Sequence, residues 1–301
     1  SVLSASINKY CYISCRPLDS FFEHNFRIVY SKLEAVNSIS EIKHPAAKAV
    51  LDYFQLNKHL EIHHDADLPA KSGMGSSSAY IVGLINVLLK YKKLKMNNFE
   101  IGKLAIHIEQ DVMKECVGSQ DQIATALGGF NKIEFKRNNE IILSPFLDKN
   151  ENIKHLENNL LLFYTKKQRI AGEIEKEKIK NFTNKSVDMN FLNQSVDHGI
   201  KILQKKEFNI KDFGNLLHQN WLRKKGLHTT VSNDIFDLAY DTAIANGAYG
   251  GKMLGAGGGG FVLFVVPKKK QNQVINCLKP YVNVKFKFEN NGTKTYIINK
   301  V

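Results

Sequence analysis

Residues 68–79 read Leu68-Pro69-Ala70-Lys71-Ser72-Gly73-Met74-Gly75-Ser76-Ser77-Ser78-Ala79. Before them, Leu60 to Ala66 reads as a short strand. After them, Ser76 to Lys90 places Ile81, Leu84, Ile85, Leu88 and Leu89 on one helical face. The unit is therefore a strand, a turn and a helix. Gly73 and Gly75 let the backbone turn with its N–H groups outward and no Cβ in the way. A helix start adds unpaired N–H groups and the positive end of a dipole, which suits a polyphosphate. The hydroxyls of Ser76, Ser77 and Ser78 can bond phosphate oxygens or reach Mg²⁺. A serine N-cap after a tight turn would explain one of them. Three serines after two glycines exceed that need. No Gly-Lys-Ser/Thr closes the turn, so it is not a Walker A loop.

Working outward, Asn98 is a candidate N-cap for a second helix running through Met113, and Glu109 lies on it. Asp121 follows in Val117-Gly118-Ser119-Gln120-Asp121-Gln122, near the start of another helix-like run. Phosphoryl transfer needs charge neutralisation by a metal and a group that orients or deprotonates the attacking hydroxyl. Two carboxylates can divide those roles, and Gly118 permits close approach of a substrate. The plainer alternative is that Asp121 caps a helix and Glu109 faces water. Asp111 and Glu115 are nearby carboxylates that rank lower.

The third segment, Lys252 to Phe261, holds five glycines in the six positions 255–260. It contains a literal G-x-G-x-x-G, but an apolar strand-like run, Phe261 to Val266, follows where a dinucleotide fold needs a helix. No Asp or Glu appears before Glu289, so that reading is rejected. Glycines at this density point to close approach of another backbone or a ligand.

Together these segments resemble the GHMP kinase family. Pro-x-x-x-Gly-Met-Gly-Ser-Ser-Ser-Ala resembles its ATP-binding motif, Glu109 to Gly129 its catalytic stretch, and the glycine cluster its third motif. The resemblance implies an α+β, two-domain fold: an N-terminal ribosomal-S5-domain-2-like part and a C-terminal ferredoxin-like part. It implies ATP and Mg²⁺ as cofactors. Pro69, Ser72, Gly73, Met74, Gly75, Ser76, Ser77 and Ser78 would bind the nucleotide. Ser77 and Glu109 would hold Mg²⁺, and Asp121 would be the catalytic carboxylate. Gly118, Gly257 and Gly258 would border the substrate. Asn220 to Lys225, Ser232-Asn233, Gly247 to Lys252 and Leu3 to Tyr12 are similar to the heptose-phosphate kinase branch, which implies a sugar phosphate as small-molecule substrate. Arg169, Arg223, Lys224 and Lys225 are available to anchor that phosphate. A solvated helix end accounts for the last three equally well. Fucokinase- and galactokinase-like sugar-1-kinases, and a non-catalytic sugar or nucleotide sensor, are the competing expectations. The family's first motif, a glycine-rich loop ahead of the Asn-Lys-Tyr strand, has no counterpart in this sequence. The chain opens without Met directly in a strand-like stretch, so residues upstream are expected.

Composition is consistent with this. The chain has 301 residues, long for one core and comfortable for two domains, and 43% are hydrophobic. No apolar run is long enough for a membrane span and no signal core opens the chain, so a cytoplasmic enzyme is the default. Four cysteines give neither a disulfide framework nor zinc spacing. A net charge of +13 raises nucleic-acid binding, but the lysines are scattered and no aromatic-interleaved basic stripe appears. Lys268-Lys269-Lys270 reads as a solvated turn. The polar stretch from Asp148 to Asn159 is the expected boundary between domains 1–150 and 151–301. The oligomeric state is left open.

Overall fold

The computed structural model describes residues 1–56, 59–146, 151–166, 186–227, 232, 234–255 and 259–298. The chain divides into two compact units. One comprises Ser6–Ala70, Gly75–Gly128 and Glu289–Val301; the other comprises Ser1–Ala5, Lys71–Met74 and Gly129–Phe288. The main division therefore falls at Gly129 and not at residue 150, and two short N-terminal segments join the second unit. The polar stretch expected to be a boundary contains the helix Glu151–Asn158, which buries Leu156.

The first unit is built on a four-stranded sheet in the order Cys11–Pro17, Leu60–Ala66, Phe26–Val29, Leu33–Val36. Leu60–Ala66 runs antiparallel to Cys11–Pro17 and parallel to Phe26–Val29. One face is covered by the helices Pro45–Tyr53 and Ser76–Tyr91. Ile28, Val50, Leu51, Leu60, Ile62, Ile81, Leu84, Ile85 and Leu88 make the shared core. Pro45 opens its helix behind His44, whose ring nitrogen accepts from the Ala47 amide. The next helix, Asn98–His107, is capped by Asn97 and not by Asn98: Asn97 and Glu100 form a reciprocal capping box. The helical path then widens into a π turn over Ile108–Val112, where the Met113 amide bonds back five residues to the Ile108 carbonyl at 2.9 Å. Such turns recur at functional sites. This one carries Glu109 into the interior.

The second unit holds two antiparallel sheets. Val2–Ala5, Phe130–Phe135 and Ile141–Pro145 form the first. The second runs Val282–Val284, Leu160–Tyr164, Phe261–Val265, Gly250–Met253. Trp221 of the helix Ile210–Leu227 is 1% exposed and packs edge-on against Phe236, with ring centres 4.7 Å apart. Phe236 and Tyr240 lie on the helix Asp234–Ala245 and join Phe163 and Phe264 in this core. Gly250 must be glycine: a Cβ there would overlap the Gly214 carbonyl of the Ile210 helix.

Other sequence expectations are corrected. The strand-like stretch that opens the chain is two strands, because Val2–Ala5 pairs with Phe130–Phe135 while Cys11–Pro17 pairs with Leu60–Ala66. Lys268-Lys269-Lys270 is not a turn; it opens the helix Lys268–Cys277 behind Pro267.

Candidate active site

The expected phosphate turn has the backbone of an anion-binding nest. Lys71, Gly73 and Gly75 adopt φ of 57°, 80° and 70°, with Ser72 and Met74 between them on the negative side. Alternation of this kind points successive N–H groups to one side. For Lys71 the left-handed conformation costs about 1–2 kcal/mol, a strain of the sort found at functional sites. Gly75 is the cap residue of the helix Ser76–Tyr91, and no side chain caps the helix. The serines are therefore not spent on capping. Ser77 is exposed, whereas Ser78 is buried and donates to the Glu109 carboxylate at 2.9 Å.

Glu109 is 1% exposed. Gln122 donates to the same carboxylate through Nε2, and the Ser77 hydroxyl also bonds it. Burial pushes the Glu109 carboxyl above the usual range. The hydrogen bonds from Gln122, Ser78 and Ser77 oppose that rise, and the nearby Glu115 charge adds to it. The Gln122 Oε1 atom beside it is buried without a partner. A buried carboxylate that water cannot solvate gains from a cation, and Mg²⁺ needs only one or two carboxylates besides hydroxyl, water and phosphate oxygens. Among the described residues no cluster of three His, Cys, Asp or Glu exists. Glu109 with Ser77 is nonetheless a fitting pair. The sequence-level alternative of a water-facing Glu109 does not hold.

Asp121 is the second residue of the helix Gln120–Leu127, whose N-cap is Ser119. It is therefore not a cap. Its carboxylate lies against the start of the Ser76 helix: a Cβ built on Gly75 would be 3.2 Å from Asp121 Cγ and 3.3 Å from Oδ2. Adjacent positions of one short helix thus serve two neighbours, Asp121 the glycine of the phosphate turn and Gln122 the buried Glu109. Among the described residues nothing lies within 4 Å of a Cβ at Gly118, so their packing does not account for that glycine. Asp111, the lower-ranked carboxylate, is paired at the surface with His107 at 2.8 Å.

In the second unit, Ser72 and Gly73 lie on the glycine cluster. A Cβ on Gly73 would be 2.9 Å from the Leu254 carbonyl oxygen, and one on Gly260 would overlap the Ser72 carbonyl. Gly257 and Gly258 fall outside the described residues, as do Arg169 and Asn233. Of the candidate anchors, Lys225 is ion-paired with Asp237 at 2.8 Å, and the Arg223 guanidinium stacks on Phe191 at 3.9 Å. Pro69 and Met74 are half-buried and Ser72 is fully buried. The links from Glu109 to Ser78 and Gln122 span 31 and 13 residues. No spacing rule would have found them.

Residues 39–129 match the GHMP kinases N-terminal domain, and residues 202–283 match the GHMP kinases C-terminal domain. Fold and match together define a small-molecule kinase, a phosphotransferase with an alcohol acceptor. The chain belongs to the GHMP kinase family. It is 35% identical over 260 residues to the D-glycero-alpha-D-manno-heptose 7-phosphate kinase of Campylobacter jejuni, covering 83% of this chain and 75% of that one. The crystal structure of a D-glycero-D-manno-heptose 1-phosphate kinase from Bacteroides thetaiotaomicron superposes with a TM-score of 0.77 at 26% identity, covering 98% of this chain and 90% of that one. The mevalonate kinase of Methanococcus jannaschii shares the fold, with a TM-score of 0.73 at 22% identity over 96% of this chain and 91% of that one. No described helix is long and apolar enough to cross a membrane.

Proposed function

We propose that this chain transfers the γ-phosphoryl group of ATP to the anomeric hydroxyl of D-glycero-D-manno-heptose 7-phosphate. The products are the 1,7-bisphosphate and ADP, a step toward nucleotide-activated heptose. The coarser part, a sugar-phosphate kinase of the GHMP family, is supported by the heptose-phosphate kinase relative at 35% identity. The observation that carries the chemistry is the Asp121 carboxylate against the Gly75 end of the Ser76 helix.

In this reading the N–H groups of the nest and of the first turn of the Ser76 helix bind the β- and γ-phosphates. Ser77 and Glu109 hold Mg²⁺, which supplies charge neutralisation when bound. Asp121 orients the attacking hydroxyl and accepts its proton as the new P–O bond forms. Arg223 and Lys225 are the proposed anchors for the substrate's own phosphate; Lys225 can serve only by leaving its pair with Asp237. The solved relative named for a heptose 1-phosphate substrate offers a second reading for the acceptor position. Fucokinase and galactokinase relatives at 25% and 26% identity favour a sugar acceptor more generally.

The test is a coupled ADP-release assay over heptose 7-phosphate, heptose 1-phosphate, the free sugars and mevalonate, with phosphorus NMR of the product. Preference for heptose 7-phosphate and a new phosphate on the anomeric carbon are expected. Turnover of mevalonate, or of free sugars with equal efficiency, would contradict the reading.

A further inference from the structure

Arg223, Lys224 and Lys225 are three consecutive cations at the C-terminal end of the helix Ile210–Leu227, and the structure sends them to different partners. Lys225 goes to Asp237, and Arg223 stacks on Phe191. The Lys224 ammonium donates to the Gly255 carbonyl oxygen at 2.7 Å, across 31 residues of chain. Gly255, at φ +65°, is the residue on which the phosphate turn rests: a Cβ there would be 2.6 Å from Gly73 Cα and 2.8 Å from the Gly73 carbonyl oxygen. Backbone lies on backbone, with no side chain between.

We propose that Lys224 is a positioning residue for the nucleotide turn and not an anchor for the sugar phosphate. The inference rests on the reading of residues 72–78 as the nucleotide-binding turn. The physical argument concerns what holds Gly255. The last backbone bond before it joins the Leu254 amide to the Phe261 carbonyl at 2.9 Å. Beyond that bond Gly255 has no side chain of its own with which to fix its peptide plane. A charge-assisted hydrogen bond to the Gly255 carbonyl fixes that plane, and with it the surface under Gly73. The donor has a firm base, because Trp221, one helical turn before Lys224, is buried in the core. Loss of the bond leaves the core intact and loosens the support of the turn.

The experiment uses the full chain, with Lys224→Met and Lys224→Arg. Steady-state KM is measured for ATP and for the sugar phosphate, with calorimetric titration of Mg·ATP and thermal unfolding alongside. Lys224→Met is expected to raise KM and Kd for ATP about tenfold, the usual scale for a hydrogen bond to a charged group. KM for the sugar phosphate and the unfolding midpoint should stay near parental, and Lys224→Arg should recover most of the ATP affinity. A raised sugar-phosphate KM with unchanged ATP affinity would overturn the assignment, as would no change in either. A parent protein that binds no ATP would overturn the nucleotide reading and this assignment with it. If the parent binds ATP and Lys224→Met binds it as tightly, the assignment alone fails.

Discussion

Asp121 and Gly75 are neighbours across 46 residues of chain: a Cβ at Gly75 would stand 3.2 Å from the Asp121 carboxylate carbon, close enough that the carboxylate would have to give by a few tenths of an ångström. The absence of a side chain at position 75 therefore does two things. It permits φ of 70° at the helix start, and it leaves the carboxylate beside the amides proposed to hold phosphate.

Substitution at Gly75 tests that double role. Gly75→Ala should cost about 1–2 kcal/mol from the left-handed backbone alone. It should also displace Asp121. We expect Mg·ATP affinity to fall at least about tenfold by calorimetric titration, with a modest loss of thermal stability. Unchanged affinity would mean that the turn does not bind nucleotide.

Glu109, proposed with Ser77 to hold the metal, is itself held by Gln122. Gln122→Leu removes one of the donors that favour the ionised carboxylate, so Glu109 should ionise less readily. The Mg²⁺ concentration for half-maximal rate should rise several-fold, with turnover at saturating Mg²⁺ near parental. Glu109→Gln should raise the requirement further. Manganese binding followed by water-proton relaxation reads the same effect without turnover.

Stability should fall in mild acid for a reason remote from catalysis. His44 and His64 flank the buried Tyr80, with ring centres 4.7 and 4.8 Å from it. Burial pushes both imidazoles below the ordinary value of 6.5. The unfolded chain then binds more protons than the folded one just below pH 6.5, so stability is lost as pH falls through that region. The limiting slope is about 1.4 kcal/mol per pH unit for each proton. His64→Phe, which also removes a buried Nε2 without a partner, should flatten the profile of unfolding midpoint against pH. A profile as steep as the parent's would place the titration elsewhere.

Asn97→Ala serves as a control away from the site. Losing the capping box of the helix Asn98–His107 should cost about 1 kcal/mol, lowering the midpoint by about 2 °C. ATP affinity should not change.

What the sequence discloses follows from local rules. The strand Leu60–Ala66, the glycine turn and the helix Ser76–Tyr91 are legible because period-2 and period-3.6 patterns flank a turn whose glycines have a backbone task. The strand Leu160–Tyr164 is legible as a short β-rich apolar run. The break at Ser6 is not legible, because Val2 to Ser14 alternates throughout and only tertiary pairing decides which sheet each half joins. The π turn that buries Glu109 is also hidden, since Ile108 to Val112 continues an ordinary helical pattern. In the candidate site, Gly73 and Gly75 are marked by residue type and spacing, whereas Glu109 and Asp121 are singled out by the resemblance to the GHMP kinases, each reading equally well as an ordinary helix residue without it. The anchorage of Glu109 by Ser78 and of Gly255 by Lys224 depends on contacts that no local pattern encodes.

The most direct measurement is single-turnover and steady-state kinetics of Asp121→Asn with heptose 7-phosphate, beside calorimetric Mg·ATP titration of the same variant. Asparagine keeps the shape against Gly75 and removes the charge and basicity. A positioned carboxylate contributes about 10²- to 10⁴-fold by general-base action. The lower end is expected here, because a loose transition state draws little on the nucleophile. The prediction is a fall of about 10²-fold in kcat with ATP affinity within about threefold of the parent. Near-parental turnover at saturating substrate would contradict the account and leave Asp121 with a purely structural role at the helix start.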